Sequence, residues 1–315
     1  MNQIIYDVIV IGAGPAGITA GIYTARGGLR SLVIESFSPT SQVINADLIE
    51  NYPGFPEGIG GFDLLERFKN QAKNCGVEFQ EGKVEDIGGK ENHLWQVKTK
   101  DKTFDTSAII LATGTRYKQL GVDGEKKFCG KGVSYCAICD GAFFKDKDIV
   151  IVGGGNAAVE EALYLTRFAR KVILVHRRKR LRADSVLAKR ASENKKIEII
   201  FNSTITQIYG TDKVGGVLLK NVIDETNSKR ECSGVFISIG QIPNTEFLSN
   251  IVELDKLGYI ISDERMMTSQ PGIFACGDCR AKFLRQVVTA CAEGAQAAVG
   301  TVAYVDRLKG QAYDG

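Results

Sequence analysis

Histidine and unbalanced charge are two things that this chain of 315 residues has little of. It contains two histidines, and neither lies in a serine, cysteine or carboxylate motif, so nothing predicts a Ser-His-Asp or Cys-His nucleophile. We interpret His93, in a polar stretch before Trp95, as a structural histidine. Forty Lys and Arg against 37 Asp and Glu leave a net charge of +3, too little for a strong nucleic-acid or membrane field. We therefore expect neither partner.

The sequence also has no convincing signal or membrane-spanning segment. Residues 8–25 form an uncharged run of 18, which is long enough to attract a transmembrane assignment. The run follows Asp7 rather than a basic region, contains four glycines and a proline, and divides into a short strand and a small-residue helix. We therefore predict a cytoplasmic protein.

The length predicts about two domains, because 315 residues are many for a single core. An apolar fraction of 44% and a charged fraction of 24% are typical of a soluble globular protein. Eight cysteines in so large a chain do not indicate a secreted disulfide framework.

One pair of cysteines has the spacing of redox chemistry. Cys136 and Cys139 form a C-x-x-C motif, which brings two sulfurs within bonding reach and lowers the pKa of one thiol. Without a histidine nearby, the adjacent Asp140 is the candidate proton donor, and helix capping is its alternative role. A second C-x-x-C, Cys276 and Cys279, lies too far away to complete a zinc ribbon. We predict no metal site and expect Cys276 to be a buried strand residue; an accessory disulfide there is the less favoured alternative.

Two glycine-rich fingerprints flank the redox pair: Gly12-x-Gly14-x-x-Gly17 and Gly153-x-Gly155-x-x-Ala158. Each follows an apolar strand pattern and begins a helix pattern. The predicted strand, helix and strand are 6–11, 15–26 and 31–34 in the first copy, and 148–152, 156–169 and 171–175 in the second. Such glycines let the backbone approach a pyrophosphate at a helix N-terminus, although glycine-rich turns also occur without a ligand.

The residue at the end of the second strand differs between the copies. Glu35 lies 23 residues after Gly12, and His176 lies 23 residues after Gly153. Glu35 can accept hydrogen bonds from both ribose hydroxyls and would repel a 2′-phosphate, so the first site should hold FAD or NAD. At the second site, arginines 177, 178 and 182 offer fork-shaped bonds to a phosphate, which favours NADPH; a solvated charge run is the alternative.

The order of motifs resembles the low-molecular-weight, bacterial-type thioredoxin reductases. The resemblance runs from Asp7 to about Gly310. Its most specific segments are 112–114, 136–141, 153–158, 176–178 with 182–183, and 277–278 with 285–286. It implies an α/β fold with two Rossmann-like dinucleotide-binding domains, the NADPH domain being inserted into the FAD domain. The implied FAD domain is 1–117 and 246–315, the NADPH domain is 118–245, and the crossovers lie near 114–118 and 240–245.

The resemblance also implies the cofactor sites. For FAD it implies Gly12, Gly14, Pro15, Ala16, Gly17, Glu35, Gln42, Asn51, Ala112, Thr113, Gly114, Gly277, Asp278, Arg285, Gln286 and Val287. For NADPH it implies Gly153, Gly155, Asn156, Ala157, Ala158, His176, Arg177, Arg178 and Arg182. The chain departs from the family before Gln42, where Thr40-Ser41 replaces the usual Gly-Gly, and at Cys276 and Cys279, which replace commoner small or apolar residues.

The implied reaction is thioredoxin-disulfide reduction. Hydride passes from NADPH to FAD, the flavin opens the Cys136–Cys139 disulfide, and the dithiol reduces thioredoxin or a thioredoxin-like protein. By resemblance, Cys139 faces the flavin, Cys136 attacks the partner, the domains rotate between steps, and the protein is a homodimer. One alternative is an NADPH-dependent reductase of another small redox protein or a peroxidase component. A nucleotide sensor or a ferredoxin-NADP-reductase-like protein is a weaker alternative, because it would have no use for the dithiol.

Overall fold

The computed structural model describes residues 5–36, 41–46, 48–90 and 94–311, so the predicted roles of Thr40 and His93 lie outside the described residues. The two outer segments, Met1–Arg116 and Ile242–Gly315, form one compact unit, here called the outer unit, and Tyr117–Gln241 forms the inner unit. The chain crosses between them in two short strands that pair with each other.

Strands alternate with helices in the first part of each unit, and consecutive strands follow. The helices are α1 (Pro15–Arg26), α2 (Gly61–Asn74), α3 (Ala137–Asp140), α4 (Asn156–Leu165), α5 (Ser185–Glu193) and α6 (Val287–Leu308). The strands are β1 (Ile5–Ile11), β2 (Ser31–Glu35), β3 (Glu78–Glu81), β4 (Val84–Gly89), β5 (Trp95–Thr99), β6 (Thr103–Leu111), β7 (Thr115–Tyr117), β8 (Val133–Ser134), β9 (Asp148–Val152), β10 (Lys171–Val175), β11 (Ile197–Ile200), β12 (Ser203–Gly210), β13 (Val214–Asn221), β14 (Asn227–Glu231), β15 (Gly234–Ile237), β16 (Gln241–Pro243) and β17 (Ile273–Ala275).

The outer unit is built on a sheet with the strand order β3-β2-β1-β6-β5-β4, in which β17 also pairs with β6. Strand β1 is buried on both faces, as expected for a parallel strand under helices. Val8 and Val10 pack in one core cluster with α1 and α6, whereas Ile9 and Ile11 pack in the cluster on the opposite face. Because β2 and β6 lie on opposite sides of β1, the carboxyl end of β1 is a topological switch point, where ligands bind in such sheets.

The inner unit has a fully parallel sheet, β11-β10-β9-β15-β8, and an antiparallel sheet, β12-β13-β14. The predicted helix 156–169 is wrong at its C-terminal end, because α4 stops at Leu165. The carbonyl of Leu165 accepts from the backbone N–H groups of both Phe168 and Ala169, which turns the chain toward β10. The predicted α/β class with two Rossmann-like units is confirmed.

Within residues 5–36, 41–46, 48–90 and 94–311, no helix has the length and continuous apolar character needed to cross a membrane.

Candidate dithiol and dinucleotide sites

The redox pair lies where β8 passes into the single helical turn α3. Cys136 and Cys139 form a disulfide, with Cys136 at the N-cap of the turn. The backbone N–H of Cys139 donates to Cys136 Sγ at 3.2 Å. Cys139 is exposed and Cys136 is partly buried. The two sulfurs therefore differ in their surroundings, because only Cys136 Sγ accepts a backbone hydrogen bond within the turn and Cys139 is the more exposed residue.

Asp140 is the last residue of α3, and its side chain is held from the preceding strand. It also precedes the 3-10 turn Gly141–Phe144, but its carboxylate makes no capping hydrogen bond to that turn. Instead, Asp140 Oδ2 accepts a hydrogen bond from Ser134 Oγ at 2.6 Å. The same hydroxyl accepts from the backbone N–H of Cys136 at 3.1 Å.

A second set of polar groups anchors the residue before Cys136. The hydroxyl of Tyr135 donates to Glu125 Oε1 at 2.7 Å, and its ring stacks on Tyr117 with centroids 5.0 Å apart. Glu125 is buried and accepts from the backbone N–H groups of residues 120 and 121. Burial, followed by the hydrogen bond to Glu125, raises the pKa of Tyr135 well above its ordinary value. Sequence reasoning missed this anchor, because nothing local links residues 117, 125 and 135.

At the first fingerprint, two segments of backbone approach each other so closely that only glycine fits. Gly12 has a φ of +110°, and a Cβ there would lie 2.3 Å from the carbonyl oxygen of Ala112. A Cβ on Gly17 would lie 1.8 Å from the carbonyl oxygen of Gly12. Gly14 is the N-cap of α1, with no side-chain capping bond, and Pro15 begins the helix. This leaves a helix N-terminus facing the switch point, as anion binding requires.

Glu35 ends β2, as predicted, and pairs with Lys69 of α2. Lys69 was not predicted as a site residue, because it lies 34 positions from Glu35 and belongs to no motif. The lysine compensates part of the carboxylate charge that would face a ribose.

Two further predicted FAD residues, Gln42 and Asn51, each donate a hydrogen bond to another segment of the outer unit. Gln42 Nε2 donates to Thr115 Oγ1 at 2.7 Å, while Gln42 Oε1 is buried and has no hydrogen-bond partner within the described residues. Asn51 Nδ2 donates to Gln286 Oε1 at 3.1 Å, and Gln286 forms a capping box with Thr289 at the start of α6. A buried amide oxygen without a partner is a position where a ligand donor fits.

A network of partly buried charged side chains surrounds Asp278. Its carboxylate lies 3.1 Å from Lys282 Nζ, and Glu293 pairs with both Lys282 and Arg280. Glu293 also accepts from the backbone N–H of Gly277 at 2.8 Å. Burial raises the pKa of Asp278, and Lys282 opposes this rise. Lys282 and Glu293 were missed by sequence reasoning.

The predicted flavin-ring neighbour Arg285 is fixed by backbone and ring contacts. Its guanidinium donates to the carbonyl oxygens of Asp278 and Arg280 and lies 4.1 Å from the ring centroid of Tyr259.

The second C-x-x-C, Cys276 and Cys279, is fully buried and carries free thiols. Cys279 Sγ donates to the carbonyl oxygens of Leu111 and Cys276, and burial raises the pKa of both thiols. Cys276 directly follows β17 and is buried, as predicted apart from its strand assignment.

The second fingerprint is packed from below by the ring of His176. A Cβ on Gly154 would lie 2.1 Å from His176 Nδ1, whereas a Cβ on Gly155 would meet nothing within 4 Å. His176 is buried, and burial lowers its pKa, with a further contribution from Arg182. The ring is therefore a neutral support for the loop, while Arg177 and Arg178, which follow it, are exposed.

Residues 182–184 lie against the second fingerprint, which places Arg182 beside Gly154. The backbone N–H groups of Arg182 and Ala183 both donate to the carbonyl oxygen of Gly154, at 2.6 and 3.1 Å. Asn156 and Asp184 exchange two hydrogen bonds, at 2.7 and 2.9 Å. Arg182 thus reaches a glycine 28 positions earlier through backbone contacts, which no local pattern shows.

Each unit therefore fits a dinucleotide. In both units, a parallel strand ends in a tight turn where a Cβ would collide with neighbouring atoms. The helix that follows begins without a side-chain cap. No group of three or more His, Cys, Asp or Glu side chains that could hold a metal ion occurs in the part of the chain that the structure describes.

Comparisons with known proteins agree on one relationship. A family model of pyridine nucleotide-disulphide oxidoreductases matches residues 6–294. Thioredoxin reductases of Listeria monocytogenes and Bacillus subtilis are each 47% identical over 97% of this chain, covering 95% and 96% of those proteins. A crystal structure of thioredoxin reductase from Streptococcus pyogenes is 43% identical, with a TM-score of 0.91 over 96% of this chain and 99% of that one.

Proposed function

The chain belongs to the thioredoxin reductases of the pyridine nucleotide-disulphide oxidoreductase family, which confirms the predicted resemblance, and we propose that it reduces thioredoxin with electrons from NADPH. It is an oxidoreductase. The observation that carries the proposal is the Cys136–Cys139 disulfide, in the same unit as the second fingerprint and next to Asp140.

The outer unit is proposed to bind FAD. The α1 N-terminus would hold the pyrophosphate, Glu35 the adenosine ribose, and Asp278 the ribityl side of the cofactor. When bound, FAD supplies the two-electron step between nicotinamide and disulfide. The orphaned oxygen of Gln42 supports a ligand donor in this unit.

The inner unit is proposed to bind NADPH. The loop Gly153–Gly155 would receive the pyrophosphate, and Arg177, Arg178 and Arg182 would bind the 2′-phosphate through charge-assisted hydrogen bonds. The exposure of these arginines and the anchoring of Arg182 to Gly154 support this role.

The dithiol is proposed to act by thiol–disulfide exchange. The Cys136 thiolate attacks one sulfur of the thioredoxin disulfide, and the other thioredoxin sulfur leaves as a thiolate that takes up a proton. Cys139 then attacks Cys136, which restores the internal disulfide and releases the second thioredoxin sulfur. The hydrogen bond from the Cys139 N–H to Cys136 Sγ supports Cys136 as the attacking thiolate.

Asp140 is proposed to supply and retrieve the proton of the dithiol. Opening the disulfide releases a thiolate that must be protonated. The histidine of the inner unit, His176, is buried beneath the second fingerprint, so Asp140 is the candidate donor beside the dithiol. We expect Asp140→Asn to slow dithiol formation by roughly ten-fold to ten-thousand-fold. Flavin reduction by NADPH should be unchanged in the same variant.

Anaerobic titration tests the proposed function. The purified holoenzyme is reduced with NADPH and then mixed with oxidised thioredoxin, with the flavin absorbance as the readout. Reoxidation by thioredoxin supports the proposal. Reoxidation only by a different small redox protein or a peroxidase component would establish the alternative. We also propose, by family analogy, a cytoplasmic homodimer, which sedimentation and fractionation can test.

A further inference from the structure

The turn that follows β17 packs against the start of α1. Gly277 has a φ of +78°, and a Cβ there would lie 2.7 Å from the Cβ of Ala16. Helix α6 approaches the same residue, because a Cβ on Gly294 would lie 2.2 Å from the carbonyl oxygen of Ala16. The turn that carries Asp278 is therefore packed directly beside the first fingerprint.

Glu293, which precedes Gly294 in α6, anchors this turn. Its Oε2 accepts from the backbone N–H of Gly277 at 2.8 Å and from Lys282 Nζ at 3.4 Å, and its Oε1 lies 3.3 Å from the guanidinium of Arg280. The side chains of Glu293 and Lys282 are 12% and 8% exposed. Charges so little exposed to water are costly unless they are paired, so the two side chains depend on each other.

Lys282 places its charge beside Asp278 without occupying the carboxylate as an acceptor. Lys282 Nζ lies 3.1 Å from Asp278 Oδ1, which makes an ion pair. The two groups are not aligned as a hydrogen bond, and Oδ1 is buried with no hydrogen-bond partner within the described residues. Ion pairing depends on distance, whereas a hydrogen bond also depends on angle. Oδ1 can therefore still accept from a ligand hydroxyl.

We propose that Glu293 is a positioning residue of the flavin site: it holds Lys282 so that the ammonium does not donate to Asp278, and Oδ1 stays available to a hydroxyl of the ribityl chain. This inference rests on the proposed FAD site. Without Glu293, the ammonium would turn to Oδ1 and compete with the cofactor for it. Arg280 would lose the same partner but keep its hydrogen bond to Ser262.

The test measures FAD binding rather than turnover. Full-length holoenzyme is diluted stepwise, free FAD is separated by ultrafiltration, and its absorbance gives the Kd. We expect Glu293→Gln to raise this Kd by roughly ten-fold to one-hundred-fold, the range for one hydrogen bond to a charged group. Glutamine keeps an oxygen for the Gly277 N–H, so the backbone anchor remains. Asp306→Asn, on the same helix and roughly 20 Å away, removes the same charge and should leave the Kd unchanged.

A second ligand separates positioning of Asp278 from support of the whole unit. ADP has the adenosine and diphosphate of FAD but no ribityl chain, and it is added as a competitor to the diluted holoenzyme. Its inhibition constant should agree within about two-fold between folded Glu293→Gln and the wild type. An equal loss of FAD and ADP binding in the folded variant would overturn the inference.

Lys282→Met provides the background that decides the mechanism. With the ammonium removed, Glu293→Gln should change the Kd for FAD by less than about three-fold. This comparison also decides the case if Glu293→Gln alone does not fold, and a loss of roughly ten-fold or more in that background would overturn the inference. A wild-type Kd in Glu293→Gln would overturn it too.

The proposed function is checked apart from this role. The absorbance spectrum of the purified wild type shows whether FAD is bound, and thioredoxin reduction by the wild type is measured separately. A wild type without FAD or without thioredoxin turnover counts against the proposed function, whereas the variants are compared with one another and decide the role of Glu293.

Discussion

At the residue scale, Cys136 and Cys139 carry the same chemical group in different surroundings. Cys136 Sγ receives a backbone N–H at the start of a helical turn, whereas Cys139 is the more exposed of the two. Because the two sulfurs differ in hydrogen bonding and in exposure, we expect each to have its own role in thiol–disulfide exchange.

Single serine variants test this division. Cys136→Ser and Cys139→Ser should each abolish thioredoxin turnover while NADPH still reduces the flavin, since the thiols act after that step. Cys139→Ser should also accumulate a mixed disulfide between Cys136 and thioredoxin, detectable by non-reducing electrophoresis. A mixed disulfide formed only by Cys136→Ser would reverse the assignment.

Glu161 makes a pH-dependent contribution to stability. Burial raises its pKa from 4.5 to about 7, opposed in part by a hydrogen bond with Ser238. The native carboxyl therefore keeps its proton where the unfolded one has lost it, and stability decreases as the pH rises from about 4.5 to 7. Glu161→Gln should remove this decrease, so at pH 8 the variant should be more stable than the wild type by roughly 1–3 kcal/mol. Urea unfolding at pH 5 and pH 8 measures it, with Glu66→Gln, at an exposed position of α2, as the control.

At the element scale, the second fingerprint depends on the segment after β10 as much as on its own glycines. The His176 ring fills the space under Gly154, and the loop with Arg182 bonds to the carbonyl of that glycine. Nucleotide selection should therefore respond to both arginine charge and loop packing.

Removing two arginines tests the charge contribution. Arg177→Ala with Arg178→Ala should weaken NADPH binding by up to about 2–5 kcal/mol and leave NADH binding nearly unchanged, because only NADPH carries the 2′-phosphate. Titration with 2′,5′-ADP and 5′-AMP separates the two cases. Lys189→Ala with Arg190→Ala, on exposed positions of α5, removes the same charge and should have little effect. Equal losses for both nucleotides would contradict the assignment.

Two adjacent glycines test the loop packing. Gly154→Ala should lower the free energy of unfolding by about 1–3 kcal/mol, because the new Cβ collides with the His176 ring. Gly155→Ala has open space around the new Cβ, so it should leave stability nearly unchanged while weakening 2′,5′-ADP binding. Thermal melts and calorimetric titration measure the two effects. Equal destabilisation by both substitutions would contradict this reading of the loop.

At the scale of the whole molecule, each unit has its own core and its own proposed ligand. The core clusters around β1 belong to the outer unit, and those around β9 belong to the inner one. The single tryptophan of the chain, Trp95, lies in β5 of the outer unit. Its fluorescence therefore reports the unfolding of that unit.

This placement gives a test of which unit binds which cofactor. Added FAD should shift the Trp95 transition upward, by about 2.7 kcal/mol of stability at one hundred times its Kd. Added 2′,5′-ADP should stabilise a second transition, followed by circular dichroism, and leave the Trp95 transition in place. An upward shift of the Trp95 transition by 2′,5′-ADP would contradict the assignment of the units.

The sequence by itself determined the features that depend on short stretches of chain. Strand β1, helix α1 and strand β2 follow from apolar periodicity interrupted by glycines, and the C-x-x-C spacing by itself places two sulfurs one helical turn apart. The prediction that the helix after the second fingerprint extends to residue 169 is wrong. The hydrogen bonds that end α4 at Leu165 depend on where the chain re-enters the sheet, which the local sequence does not show.

Only the tertiary structure decided which distant groups support the reacting ones. The contacts of Lys69 with Glu35, of Glu293 with Lys282 around Asp278, and of Glu125 with Tyr135 join residues that no motif or periodicity links. Ser134 lies close to Asp140 in sequence, but its contact depends on the angle between the end of β8 and α3. Side-chain hydrogen bonds require distances near 3 Å, and such distances are set by packing rather than by residue order.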